Sequence, residues 1–176
     1  MRKLMVFIVF ATMLAGGSAH AQVVDMSRLT CADFSAMRPD QARVFAAWMS
    51  GWFSQRQGQA WVNPAVFAEN IGSIRQWCTT NPRETIIASL ERSTPQAGPM
   101  TGQERLDMSL LTCKQYLGSS PDRREFVASW MSGYFRSFKG EPVFDFRRLA
   151  NRREVVSNYC RKRGGETLMS AIQKNA

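Results

Sequence analysis

Apolar residues return at three- and four-residue intervals along most of this chain. Between Pro39 and Gly58 they fall at Val44, Phe45, Trp48, Met49, Trp52 and Phe53, which is one face of a helix. Between Asn63-Pro64 and Asn81 they fall at Phe67, Ile71, Ile74 and Cys78, a second stripe. A shorter helix opens at Thr30-Cys31-Ala32-Asp33 and runs to about Met37. There the threonine hydroxyl and the aspartate satisfy the first free amides reciprocally. A last helix carries Ile86, Ile87 and Leu90, with Asn81-Pro82 as its predicted cap and Glu84 at the capping-box position. Proline suits a first helical turn, so Pro39 and Pro64 mark starts. The pattern predicts four helices.

The whole pattern then repeats 82 residues on. Laying Asp25–Leu90 on Asp107–Ile172 aligns 66 positions without a gap, 19 of them identical. Trp48-Met49-Ser50-Gly51 falls on Trp130-Met131-Ser132-Gly133, Cys31 on Cys113 and Cys78 on Cys160. In the second copy Thr112 caps the first helix, and Ser120-Pro121 opens the second. That helix's face is Phe126, Val127, Trp130, Met131, Tyr134, Phe135 and Phe138. Asp145 caps the third helix, and Leu168, Met169 and Ile172 line the fourth. Asn81-Pro82 has become Arg163-Gly164, which predicts a final helix that frays more easily. The fold class is therefore all-α: two tandem modules of about four helices, over residues 25–92 and 107–174. Residues 93–106, rich in Pro, Gly, Ser and Thr, read as a linker with a reach of about 20 Å.

Arg2 and Lys3 precede an apolar run from Leu4 to Leu14 and then Ala19-His20-Ala21, the layout of a secretory signal peptide. Cleavage is expected after Ala21, with Ala19 as the second candidate. Residue 22 is Gln rather than Cys, so no lipid anchor is expected, and no later stretch is apolar enough to span a membrane. Export places the four cysteines in an oxidising compartment, where they read as two disulfides with three possible connectivities. The duplication favours one pair per module, Cys31–Cys78 and Cys113–Cys160. Each closes a loop of about 48 residues, worth about 4 kcal/mol in the chain-entropy model. A module of about 66 residues has a small core and uses such a staple.

Without Arg2 and Lys3 the chain holds 21 basic and 14 acidic residues, a net +7. Residues 22–92 hold 7 basic and 6 acidic residues, and residues 93–176 hold 14 and 8, so the excess belongs to the second module. Part of it is the cluster Arg147, Arg148, Arg152 and Arg153, continued by Arg161, Lys162 and Arg163. The first module lacks this cluster. It reads as a solvated helix face, since no aromatic platform for nucleic acid accompanies it and export disfavours that partner. With cleavage after Ala21 the one histidine, His20, leaves with the signal peptide, and with it the commonest general base and metal ligand; cleavage after Ala19 would leave it at the new N-terminus. No nucleophile motif, phosphate loop or metal-ligand spacing is present, so no catalytic residue, metal or cofactor is expected.

The most distinctive residues are the aromatic stripes. The plain reading of Phe45, Trp48, Met49, Trp52 and Phe53, and of Val127, Trp130, Met131, Tyr134 and Phe135, is core packing. The functional reading is that part of this apolar excess forms a binding interface. Gly51 and Gly133 lie mid-helix, at about 1 kcal/mol each relative to alanine, and close approach of another helix would explain them.

Leu29-Thr30-Cys31-Ala32-Asp33-Phe34, Trp48-Met49-Ser50-Gly51 and Trp77-Cys78-Thr79-Thr80-Asn81-Pro82 together are similar to the HdeA/HdeB acid-stress chaperone family. The second module repeats the resemblance at Leu111 to Tyr116, Trp130 to Gly133 and Tyr159-Cys160. The resemblance implies small periplasmic helical proteins with one disulfide per domain, dimeric at neutral pH and converted by acid into forms that hold unfolding clients. Members are usually single modules, whereas this chain is tandem. The two modules are therefore expected to pair within one chain through the Trp48 and Trp130 helices, with tethering supplying a high effective concentration. The functional expectation is an ATP-independent periplasmic holdase for unfolding proteins at low pH. The alternative is a constitutive periplasmic binding or inhibitor protein of the immunity type, on the same scaffold without a pH switch.

Overall fold

A computed structural model of the chain describes residues 23–93 and 105–175. The expected signal peptide and residues 94–104 of the linker lie outside the described residues. The first module holds α1 (Cys31–Ala36), α2 (Pro39–Arg56), α3 (Pro64–Thr80) and α4 (Ile86–Ser93). The second holds α5 (Cys113–Leu117), α6 (Pro121–Phe138), α7 (Phe146–Lys162) and α8 (Leu168–Lys174). The fold is all-α with two disulfides, and its few strands are short.

Local chemistry explains the helix starts. Thr30 Oγ1 accepts from the Asp33 amide at 3.2 Å, and Asp33 Oδ2 accepts from the Thr30 amide at 3.0 Å. Thr112 and Gln115 do the same for α5. Asn63 Oδ1 accepts from the amides of Ala65 and Val66, and Asp145 Oδ1 from that of Arg148. Two expectations need correction. Asn81 does not begin α4: its amide and Nδ2 both donate to the Trp77 carbonyl, so it closes the end of α3. Thr85 caps α4, accepting from the Ala88 amide at 3.2 Å, and Glu84 lies outside any capping box. Thr167 caps α8 in the same way through the Ser170 amide. Replacing Asn81-Pro82 by Arg163-Gly164 therefore removes no cap from the last helix, and the physical ground for its fraying disappears. Asp40 lies in the first turn of α2 and pairs with Arg38 at 3.0 Å.

Each module is closed the same way. Cys31–Cys78 joins α1 to the end of α3, and Cys113–Cys160 joins α5 to the end of α7, each with a Cα–Cα distance of 4.9 Å. The Ile86 amide donates to the Leu29 carbonyl at 2.8 Å and the Leu168 amide to Leu111 at 2.7 Å, which ties the start of each module to its last helix.

Four short strands, which an all-helical reading omits, cross between the modules. β1 (Val23–Asp25) pairs antiparallel with β4 (Val143–Asp145), Val23 opposite Asp145. β2 (Trp61–Val62) pairs with β3 (Leu106–Asp107), Trp61 opposite Asp107. Each module's leading strand thus pairs with the strand that precedes the other module's third helix. The exchange mixes the cores. Phe144 of β4 packs in the first module's core, 5.7 Å from the Phe45 ring and 5.6 Å from Trp48 between centroids. Val62 of β2 packs in the second module's core with Met108, Trp130 and Leu168.

Candidate functional site: the crossed aromatic helices

α2 and α6 form the largest contact between any two helices of the fold. Their crossing depends on two glycines. A β-carbon placed on Gly51 would lie 1.8 Å from the Trp130 carbonyl oxygen, and one on Gly133 would lie 1.9 Å from that of Trp48. Each helix presses its glycine against the backbone of the other's tryptophan, so the contact is reciprocal and follows the sequence repeat. Only residues without a side chain permit backbones this close. One further link is not duplicated: the buried Ser129 hydroxyl donates to the Val44 carbonyl at 2.6 Å, where the first module has Ala47.

Around this crossing the aromatic stripes turn inward. Phe45, Trp48, Met49, Trp52, Val127, Trp130 and Met131 are buried, while Phe53, Tyr134 and Phe135 are half-buried. Phe45 stacks on Trp48 at 5.9 Å and Trp130 on Tyr134 at 5.2 Å. Phe67 of α3 meets Phe126 of α6 edge-on at 5.1 Å, extending the contact between modules. The buried Trp48 and Trp130 indole N–H groups have no hydrogen-bond partner among the described residues, at a cost of about 1–3 kcal/mol each. The stripe leaves the interior at one point: Tyr134 meets Phe138 edge-on at 5.4 Å, and Phe138 is 63 % exposed.

Sequence reasoning singled out the two stripes but missed Phe144, Val62 and Ser129. Phe144 and Val62 occupy equivalent places in the repeat, both apolar and both just before a capping residue. That shared position is the signal that was available.

Carboxylates mark the edges of the assembly rather than the crossing. Asp25, at the end of β1, accepts from the Ser27 hydroxyl at 2.6 Å and amide at 2.9 Å, and these bonds hold it below the usual carboxylate range. Asp107, at the end of β3, is lowered likewise by Ser109. Glu166, just before α8, accepts from Lys174, from Ser170 at 2.8 Å and from Tyr159 at 2.8 Å, which together lower it to about 2. The basic cluster divides. Arg147, Arg148, Arg161, Lys162 and Arg163 are exposed, as a solvated face requires. Arg152 and Arg153 instead turn partly inward, with Arg153 paired to Glu125 at 2.6 Å. Among the described residues no group of three or more His, Cys, Asp and Glu side chains could hold a metal ion.

A family model for HdeA/HdeB matches this chain twice, over residues 3–88 and 85–170. The chain belongs to the HdeA/HdeB family. No curated protein and no solved structure matches it. Each HdeA/HdeB match contains one cysteine pair and one of the two crossing helices, so the unit of the family is the unit of the repeat. Family membership implies a chaperone-like function in the periplasm. No helix among the described residues is long and apolar enough to cross a membrane.

Proposed function

We propose that this HdeA/HdeB protein is an exported, ATP-independent holdase that binds unfolding periplasmic proteins at low pH through the apolar faces of α2 and α6. The observation that carries the reading is the burial of both aromatic stripes against each other across the Gly51–Gly133 crossing. A client surface for acid conditions has to be covered at neutral pH, and here each module covers the other's. Acid supplies the driving force. With the leader removed, neutralising all 14 carboxylates takes the net charge from +7 toward +21 and sets the modules against each other by repulsion. The disulfides would keep each module tethered while the faces open.

Light scattering tests this. An aggregation-prone periplasmic client is brought to pH 2–3 with and without the mature oxidised protein, and again at pH 7. Suppression in acid alone is expected. Suppression at neither pH would sink the holdase reading, and tight capture of one partner at pH 7 would favour the constitutive binding protein instead.

A further inference from the structure

The second module contains a cleft that shares only Phe135 with the aromatic stripes. It lies among α6, α7 and α8, with a cavity volume of about 40 Å³. Its wall is Phe135, Leu149, Val156, Leu168 and Ile172, with Ser132 and Asn175 also lining it. Arg152 and Arg153 also line it. Glu125 neutralises Arg153, and Glu141 forms an ion pair with Arg136. Neither Arg148 nor Arg152 has an ion-pair partner among the described residues. Burial, and then the neighbouring charge of Arg148, makes the protonated state of Arg152 less favourable than that of a free arginine. Arg136 is lowered by burial and by the charges of Arg148 and Arg152, while the carboxylate of Asp145 acts in the opposite direction. An apolar cleft thus ends in the half-buried guanidinium of Arg152, which makes no ion pair among the described residues.

The other module shows that the scaffold does not need this arrangement. At the equivalent places it has Asn70 for Arg152, Ile71 for Arg153 and the bulkier Phe67 for Leu149.

We propose that the cleft binds a small carboxylate with a short apolar tail, the tail lying against Leu149, Val156 and Ile172 and the carboxylate on Arg152. Size sets the tail. A water needs about 10–15 Å³ of such volume, so the cavity holds a chain of about four carbons and not a long acyl chain. Charge sets the head group, because a guanidinium pairs best with a planar oxyanion. This inference concerns neutral pH and does not depend on the holdase reading.

The test is titration of the oxidised mature protein with pentanoate at pH 7, followed by methyl NMR at Leu149, Val156 and Ile172. Saturable shifts are expected at those methyls. Pentan-1-ol and Arg152→Asn should each weaken binding roughly tenfold, the worth of one charge-assisted hydrogen bond. Arg83→Asn, the same charge change on the exposed surface of the first module, should leave binding as it was. Leu149→Phe, the first module's relative of this position, should abolish the shifts at Val156 and Ile172 if it folds; Arg152→Asn keeps the test open if it does not. Equal affinity for the alcohol, equal loss in Arg83→Asn, or no saturation would each overturn the proposal. So would binding only of an acidic peptide carrying an apolar residue, which would assign the cleft to a protein partner.

Discussion

Two kinds of glycine lie inside helices of this protein, and they make opposite demands. At Gly51 a methyl group would meet backbone, which cannot move aside as a side chain can, so α2 and α6 must separate. Gly51→Ala is expected to cost at least about 1–3 kcal/mol, the usual range for overpacking. At Gly72, in α3, an added methyl group would have nothing within 4 Å of it, so Gly72→Ala should instead stabilise by up to about 1 kcal/mol. Urea midpoints of the two variants check both signs, and a stabilised Gly51→Ala would sink the close-crossing account. Glu166 makes the other prediction at this scale. Its folded pKa of about 2 lies below the ordinary 4.5, so its bonds contribute fully above about pH 4.5 and are lost as the pH falls toward 2. Glu166→Gln should therefore lower stability at neutral pH, with the gap to the parent closing between pH 4.5 and 2. Parallel stability curves over that range would refute it.

At the level of elements, the exchanged strands decide how far one module depends on the other. Phe144→Ala removes a second-module ring from beside Phe45 and Trp48, and should cost about 3–5 kcal/mol. It should also shift the indole N–H resonance of Trp48, which lies 96 positions away in sequence; an unmoved resonance would contradict the shared core. This dependence was not legible beforehand. Strands of two or three residues are too short to show a period, whereas α2 and α6 display theirs over five turns. The paired stripes and the mid-helix glycines were therefore readable, and so was the need of those glycines for a close neighbour. The cap of α4 was misread because Asn-Pro is ambiguous. The same asparagine that opens a helix can close one, and the proline after it cannot continue the helix. Arg152 escaped notice because a run of arginines reads as surface unless the fold shows what one of them leans on.

For the whole molecule, the two family units are packed into each other: helices cross, strands exchange and each core contains a residue of the other module. A protease site placed within residues 94–104 and cut at pH 7 should leave the two halves co-eluting as one species. Halves that separate on size exclusion at pH 7 would show that the linker, rather than the packing, keeps them together. The strand exchange also bears on the order in which the protein is made. Val23–Asp25 is among the earliest of the described segments to leave the ribosome, and its partner Val143–Asp145 follows about 120 residues later. Until then Phe45 and Trp48 lack the Phe144 ring, and the first module has to wait half-finished with aromatic surface uncovered. Such a long-range pairing is slow to form and aggregation-exposed while it is pending. A protein of a chaperone family would thus pass, on the way to its own folded state, through a stage in which it needs the kind of protection it is proposed to give.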